Sequence, residues 1–168
     1  VQTCALPILA AGGGNGGGGH CIALRTDGTV RCWGAGTVNF GCGPSLHRQL
    51  GQSLPPSGLR DVVQVAAGQT HSLALLRSGE VVMWGSTCFS YAYGGVGPFV
   101  EIAAGTYHSI ARRADGTLAM WGPYQYVGEG VWWGQTLQPP NPGVSVQIGA
   151  SFRSEEHTSE LESRQYLV

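Results

Sequence analysis

Residues 62–85 read VVQVAAGQTHSLALLRSGEVVMWG, and this stretch occurs three times in the chain. Residues 100–122 repeat it as VEIAAGTYHSIARRADGTLAMWG, and residues 20–34 repeat its second half as HCIALRTDGTVRCWG. Each histidine precedes a Trp-Gly pair at the same spacing in all three copies. Self-similarity of this kind predicts an array of one supersecondary unit. The recurring structural residues are His20, Trp33, Gly34, Gly68, His71, Trp84, Gly85, Gly105, His108, Trp121 and Gly122.

Each copy is typical of a β-hairpin preceded by a further strand. Apolar residues alternate along both halves of the copy, and a pair such as Asp27-Gly28 or Asp115-Gly116 supplies the turn between them. We therefore assign Asp27 and Asp115 to turns rather than to catalysis. The AAG triplets allow neighbouring backbones to approach closely, and each Trp can fill the space between adjacent repeats. Such a unit cannot bury its faces alone and must stack on its neighbours.

The pattern VAAG-x-x-HS-x-AL-x-x-x-G-x-V-x-x-WG of residues 65–85 resembles the regulator of chromosome condensation repeat, and residues 102–122 match it equally well. The resemblance implies a β-propeller, whose blades are small antiparallel sheets around a central axis. Propellers commonly need about 4–8 blades. The repeats comprise residues 9–34, 62–85 and 99–122, and residues 144–152 start a further one. We therefore expect an all-β fold, a partial β-propeller that forms an open arc of about three blades of a larger ring, with the missing blades as one partner.

The two ends of the chain have an unusual relationship. Residues 1–8 can be back-translated as GTTCAGACGTGTGCTCTTCCGATC, and the reverse complement of this DNA, preceded by A, encodes the sequence of residues 153–160. Ends encoded by opposite strands of one oligonucleotide resemble a translated sequencing adapter. We expect residues 1–8 and 153–168 to be non-native and exclude them from fold reasoning, which leaves 9–152 as the domain. The alternative is an exposed polar helix at the C-terminal end.

Composition limits the classes of function. The net charge is −1, and four of the ten acidic residues and two of the nine arginines lie in residues 153–168, so the remainder carries about +1. A nearly neutral chain has no electrostatic footprint for nucleic acid. No apolar run is long enough for membrane insertion as a helix. There is no nucleophile elbow, no acid pair outside the turns and tail, and no dinucleotide fingerprint, so we predict a non-enzyme without cofactors.

Cysteines and histidines offer two candidate sites. Cys21 and Cys32 lie near the base of one hairpin, and the other copies have neither, so we predict a disulfide between them and hence an extracellular or cell-surface location. Two free thiols and a cytoplasmic location are the alternative. The three repeat histidines suggest zinc, but equivalent places in different blades should keep them apart. We predict no metal site and expect the imidazoles to hydrogen-bond backbone groups.

The loops after the Trp-Gly pairs carry the candidate binding residues. Aromatic residues at one end of a rigid scaffold are typical of protein-recognition hot spots, although these side chains could instead pack between blades. We predict a protein-binding scaffold of unknown partner. The alternative, implied by the resemblance, is a guanine-nucleotide exchange regulator of a small GTPase. The candidate protein-binding residues are Tyr91, Tyr93, Tyr124, Tyr126, Trp132 and Trp133.

Overall fold

Nine β-strands form three separate antiparallel sheets in the computed structural model, which describes residues 8–13, 19–39, 49–85, 97–106 and 108–122. Within these residues every regular element is a strand, as the all-β prediction required. The strands are β1 (Ile8–Gly12), β2 (His20–Leu24), β3 (Val30–Gly34), β4 (Val62–Ala67), β5 (His71–Leu76), β6 (Val81–Gly85), β7 (Phe99–Ala104), β8 (Ser109–Arg113) and β9 (Leu118–Trp121).

Each sheet is one repeat and one blade. The first blade has the order β1-β2-β3, the second β4-β5-β6 and the third β7-β8-β9. In every blade the first strand pairs with the middle strand, and the middle strand continues into a hairpin with the last. The first strands of the second and third blades each carry a register shift, at Val62/Gln64 and Phe99/Glu101. The bulge lets the strand bend while its later residues keep the pleat.

The hairpin turns have the chemistry that the sequence predicts. Asp27 Oδ1 accepts hydrogen bonds from the Thr29 amide at 2.9 Å and the Thr29 hydroxyl at 2.6 Å. Asp115 Oδ1 does the same with Thr117, at 2.9 and 2.7 Å. These bonds hold the pKa of both exposed carboxyls below its usual value, the hydroxyl bond being the larger cause. Gly28 and Gly116 follow with φ of 76° and 84°. Both aspartates are therefore turn residues.

The hydrophobic core lies between blades rather than inside them. One cluster joins Ile22 and Leu24 of the first blade to Val62, Val65 and Trp84 of the second. The next cluster joins the second blade to the third, through Leu73, Leu75, Val81, Phe99, Ile102, Ala111, Ala119 and Trp121. A sheet of three short strands has little interior, so each blade buries its apolar faces only against its neighbours.

The predicted Cys21–Cys32 disulfide is wrong: both thiols are free. The hairpin register pairs Cys21 with Trp33 and Cys32 with Ile22. Directly opposed residues share a face of the sheet and successive residues alternate, so the two thiols point to opposite faces. Cys32 packs against the core between the first two blades, and this burial raises its pKa to about 11. Cys21 lies on the other face, beside Trp33.

The described residues contain no helix long and apolar enough to cross a membrane.

Candidate functional site

A histidine in one blade binds a serine in the next, and this contact occurs twice. His20 Nε2 lies 2.8 Å from Ser72 Oγ, and His71 Nε2 lies 3.0 Å from Ser109 Oγ. Both bonds are buried. Ser72 directly follows His71 in the chain, and Ser109 directly follows His108. The adjacent residues His71 and Ser72 therefore bond to different blades: His71 to the following blade, and Ser72 to the histidine of the preceding blade.

The hydrogen-bond network fixes the tautomer of His20. The Ser72 hydroxyl donates to the backbone carbonyl of Gln52 at 2.9 Å, so its oxygen can only accept from the imidazole, whose Nε2 must carry the proton. His20 Nδ1 is buried without a hydrogen-bond partner. A second proton on this ring would have no acceptor. Burial correspondingly lowers the pKa of His20 to about 4.

The histidines influence one another. Burial lowers the pKa of His71 to about 4, and the neighbouring His20 and His108 rings lower it further. Burial also lowers the pKa of His108. His20 and His71 bind side-chain hydroxyls of the next blade, rather than the backbone groups that were expected. Among the described residues no group of three or more His, Cys, Asp or Glu side chains could hold a metal ion.

The repeat pattern did not predict a role for Gln52, which lies in the loop between the first two blades. Gln52 is fully buried, and its backbone carbonyl accepts from Trp84 Nε1 at 2.9 Å as well as from Ser72. Its side-chain Oε1 accepts from the Leu50 amide at 3.0 Å, and Gln49 Oε1 accepts from the Gly36 amide at 2.8 Å. The loop therefore forms part of the interface. The available signal was the sequence QLGQ of residues 49–52, which resembles the QLG turn of the regulator of chromosome condensation repeat.

The glycines of the AAG triplets allow the blades to approach. A Cβ atom added to Gly68 would overlap the His71 ring of its own blade and lie 2.7 Å from the carbonyl oxygen of Gly105 in the next. A Cβ atom at Gly12 would meet the Gly68 backbone, and one at Gly105 would overlap the His108 ring. The small residues are therefore required where the first strands of successive blades meet, as the sequence predicts.

Two further contacts set the register between blades. The Gln64 side chain clamps the Ile102 backbone: Nε2 donates to the carbonyl at 3.0 Å, and Oε1 accepts from the amide at 2.9 Å. The hairpin turns lie at one edge of the blades, the turn edge, and the repeat histidines lie at the other, the histidine edge. At the turn edge, the Gly28 carbonyl accepts from the Val62 amide at 3.0 Å, and the Gly79 carbonyl accepts from the Phe99 amide at 2.9 Å. Each interface is thus held at the turn edge as well as at the histidine edge.

The loops that follow the Trp-Gly pairs leave from the histidine edge of the blades. Gly34 lies opposite His20, and Gly85 lies opposite His71, at the end of β3 and β6 respectively. Both glycines have a positive φ, of 99° and 100°, which turns the chain away from the sheet. The six aromatic residues predicted to bind protein, Tyr91, Tyr93, Tyr124, Tyr126, Trp132 and Trp133, lie outside the described residues.

Comparison with known proteins agrees with this geometry. A family model described as the regulator of chromosome condensation (RCC1) repeat matches residues 62–90. The E3 ubiquitin-protein ligase HERC2 of Homo sapiens is 42% identical over 66 residues, which cover 39% of this chain and 1% of HERC2. The crystal structure of the CRINKLY WD40 ectodomain of the Arabidopsis thaliana receptor kinase ACR4 superposes with a TM-score of 0.54 and 20% identity, covering 86% of this chain and 42% of that one. Human WBSCR16 gives a TM-score of 0.54 and 21% identity, covering 79% and 40%.

Fold and interfaces together define an all-β protein made of propeller blades that form an open arc. The second repeat, in residues 62–90, matches the regulator of chromosome condensation repeat, and the first and third repeats share its sequence pattern. The chain spans less than half of either solved chain and about a hundredth of HERC2.

Proposed function

We propose that the chain is a non-catalytic scaffold that binds another protein through the aromatic loops that follow Gly85 and Gly122. The observation that supports this most is the origin of the loop that contains Tyr91 and Tyr93. It begins at Gly85, which ends β6 opposite His71, just as Gly34 ends β3 opposite His20 in the first blade. The blades are fixed to each other by buried hydrogen bonds. Binding loops on a rigid support lose little conformational freedom when they meet a partner.

The turn edge is less suited to recognition. Its residues Asp27 and Asp115 are engaged in their own turns, and the carbonyls of Gly28 and Gly79 are bonded to the next blade. The longer loops leave the blades from the opposite edge, and their sequences contain Tyr and Trp, which supply large contact area at low entropic cost. Alanine substitution of such residues typically costs about 2 kcal/mol or more of binding energy where they form a hot spot.

The test is affinity capture with four variants of the chain. Tyr91→Ala, Tyr93→Ala, Trp132→Ala and Trp133→Ala should each weaken capture of an identified partner by about thirtyfold or more, as the hot-spot energy requires. Arg25→Ala and Arg77→Ala are the controls, because both side chains are exposed at the turn edge. Unchanged capture by all four aromatic variants, with unfolding curves like that of the wild type, would remove the proposal.

A guanine-nucleotide exchange regulator is the second candidate, and the RCC1 repeat match favours it. Release of a fluorescent GDP analogue from a small GTPase, with and without the chain, separates the two candidates: acceleration of release would support exchange. The extracellular location was predicted from the Cys21–Cys32 bond. With that bond absent, the scaffold proposal stands independently of location, which stays a prediction.

A further inference from the structure

The two junctions between the described blades are alike in three contacts and differ in a fourth. Histidine-to-serine bonds, glycine carbonyl bonds at the turn edge and the close approach of the AAG glycines occur at both junctions. The clamp of Gln64 on the Ile102 backbone belongs to the junction between the second and third blades. Because the other contacts repeat, the backbone that corresponds to Ile102 in the second blade is presented to the first blade in the same way.

The residue that corresponds to Ile102 is Val65. Each lies opposite the alanine three positions after the repeat histidine of its own blade, Ala111 for Ile102 and Ala74 for Val65. Val65 is only 5% exposed. Backbone amides and carbonyls that are buried to this extent require hydrogen-bond partners, because bulk water does not reach them freely.

The backbone polar groups of Val65 point away from its own sheet. The Gly68 amide donates to the His71 carbonyl at 2.9 Å, and hydrogen-bonded and non-hydrogen-bonded pairs alternate along an antiparallel ladder. Two residues further into the ladder, Ala66 is therefore bonded to Leu73, and Val65 lies in the next, non-bonded pair. Its N–H and C=O consequently face the free edge of β4. The corresponding edge of β7 is the one that receives the glutamine clamp from the preceding blade.

Position 8 is the place from which a clamp on Val65 would come. Ile8 pairs with Leu24, and Gln64 pairs with Leu75, where both leucines stand four positions after a repeat histidine. Ile8 therefore holds the register position of Gln64, one blade earlier. A hydrocarbon side chain can neither donate nor accept a hydrogen bond, so isoleucine in this position leaves the Val65 amide and carbonyl without the clamp found at the next junction.

Isoleucine is the exception at this register position. In the third blade the position is held by Glu101, whose carboxylate accepts from Arg112 Nε at 2.8 Å. Polar side chains thus stand in two of the three places. The apolar one lies within residues 1–8, which the sequence predicts to be non-native.

We propose that the Val65 amide and carbonyl form a binding site for a side-chain carboxamide, and that a glutamine at position 8 of the natural chain fills it. The site needs one donor and one acceptor on the same side-chain group. A carboxamide has both, whereas a carboxylate lacks the donor and an ammonium group lacks the acceptor. Gln64 shows that glutamine has the length to span the gap between two blades. This site is independent of the aromatic loops and of the protein partner proposed for them.

Amide hydrogen exchange in the full chain tests the site. Ile8→Gln should slow exchange of the Val65 amide by about tenfold or more relative to Ile8→Leu, because the bonded amide exchanges only after local opening. The existing clamp is the reference: Gln64→Leu should accelerate exchange of the Ile102 amide by a similar factor. Equal rates at Val65 in the two Ile8 variants, in a chain whose Ile102 amide does respond to Gln64→Leu, would overturn the proposal.

Stability separates a clamp from a residue that is merely polar. Ile8→Gln should raise the folding equilibrium constant about fivefold over Ile8→Leu in urea denaturation at pH 7, which is the net gain expected from buried hydrogen bonds. Ile8→Glu is the matched comparison. Its carboxylate can accept from the Val65 amide, but it has no proton to donate to the Val65 carbonyl, so it should give no such gain. An equal gain for both variants would contradict the site.

The gene provides the remaining measurement, which concerns the natural occupant. Genomic DNA read across the codon for residue 8 should specify glutamine. A codon for a residue without a side-chain carboxamide would overturn the assignment of that occupant, whatever the engineered variants show.

Discussion

His20 and Ser72 belong to different blades, and the imidazole Nε2 of the first lies 2.8 Å from the hydroxyl oxygen of the second in a buried site. The two residues are 52 positions apart in the chain. The counterpart bond between His71 and Ser109 spans 38. The most regular feature of the repeat is therefore a contact between repeats, and the stability of each blade depends on the blade beside it.

Gly68→Ala should destabilise the protein strongly. The new Cβ atom would overlap the His71 ring and lie 2.7 Å from the Gly105 carbonyl oxygen, so either the ring or the next blade must move. We expect a loss of about 3 kcal/mol in the free energy of unfolding, measured by urea denaturation. Gly58→Ala is the matched control, because Gly58 has a φ of 78° but open space around it. Its cost should be limited to backbone strain, about 1 kcal/mol. Equal losses for the two variants would contradict the steric role of Gly68.

Trp84→Ala and Trp33→Ala should differ although the two residues hold the same place in the repeat. Trp84 is 6% exposed and donates to the Gln52 carbonyl, whereas Trp33 is 48% exposed. We expect Trp84→Ala to cost about 3–5 kcal/mol and Trp33→Ala to cost less than about half of that, by the same denaturation measurement. A larger cost at Trp33 would mean that its blade face is covered in solution.

The blades and turns could be predicted from the sequence because a single repeat contains the information for them. Alternating apolar residues, the AAG triplets and Asp-Gly turns act within one copy, and the turns and strands predicted within residues 9–34, 62–85 and 99–122 are found. The predicted start of a further repeat at residues 144–152 lies outside the described residues. The resemblance supplied the propeller arrangement. Contacts between neighbouring blades could not be predicted in this way, because they depend on how the two blades are aligned. The serine partners of the histidines, the Gln52 carbonyl and the Gln64 clamp all lie across an interface, which no periodicity within one copy specifies.

The Cys21–Cys32 prediction was wrong for a related reason. Both residues lie at the base of one hairpin, but the pairing of His20 with Gly34 sets the register so that Cys21 opposes Trp33. A shift of one residue would have placed the thiols on the same face. Co-occurrence in one repeat and absence from the others did not distinguish these registers.

Stability should fall on acidification below pH 6.5. The folded protein keeps His20 and His71 neutral with pKa values of about 4, while the unfolded chain binds protons at about 6.5. The unfolded state therefore binds more protons between these values, so this contribution is complete above about pH 6.5 and is lost as the pH falls towards 4. Each histidine contributes a slope of at most about 1.4 kcal/mol per pH unit. Urea midpoints between pH 4 and 7 measure the effect. His71→Gln should flatten the profile, and a profile that is already flat in the wild type would be inconsistent with buried neutral histidines.

Gln64→Glu should weaken the junction between the second and third blades. The carboxylate can still accept from the Ile102 amide, but it cannot donate to the Ile102 carbonyl, which faces it. We expect a cost of about 1–3 kcal/mol at neutral pH, seen in the urea midpoint. Glu80→Gln, a charge change at an exposed turn residue, is the control and should remain within about 0.5 kcal/mol of the wild type. A stability unchanged by Gln64→Glu would show that the clamp is dispensable.

The claim that adjacent blades stabilise each other is tested most directly by a double-mutant cycle between His20 and Ser72. His20→Ala, Ser72→Ala and the double variant are compared with the wild type by urea denaturation at pH 7, where the imidazole is neutral. A direct buried bond predicts a coupling free energy of about 1 kcal/mol or more, with the double variant less destabilised than the sum of the singles. Additive losses, with a coupling of zero within error, would mean that these residues do not meet across adjacent blades and would contradict the account.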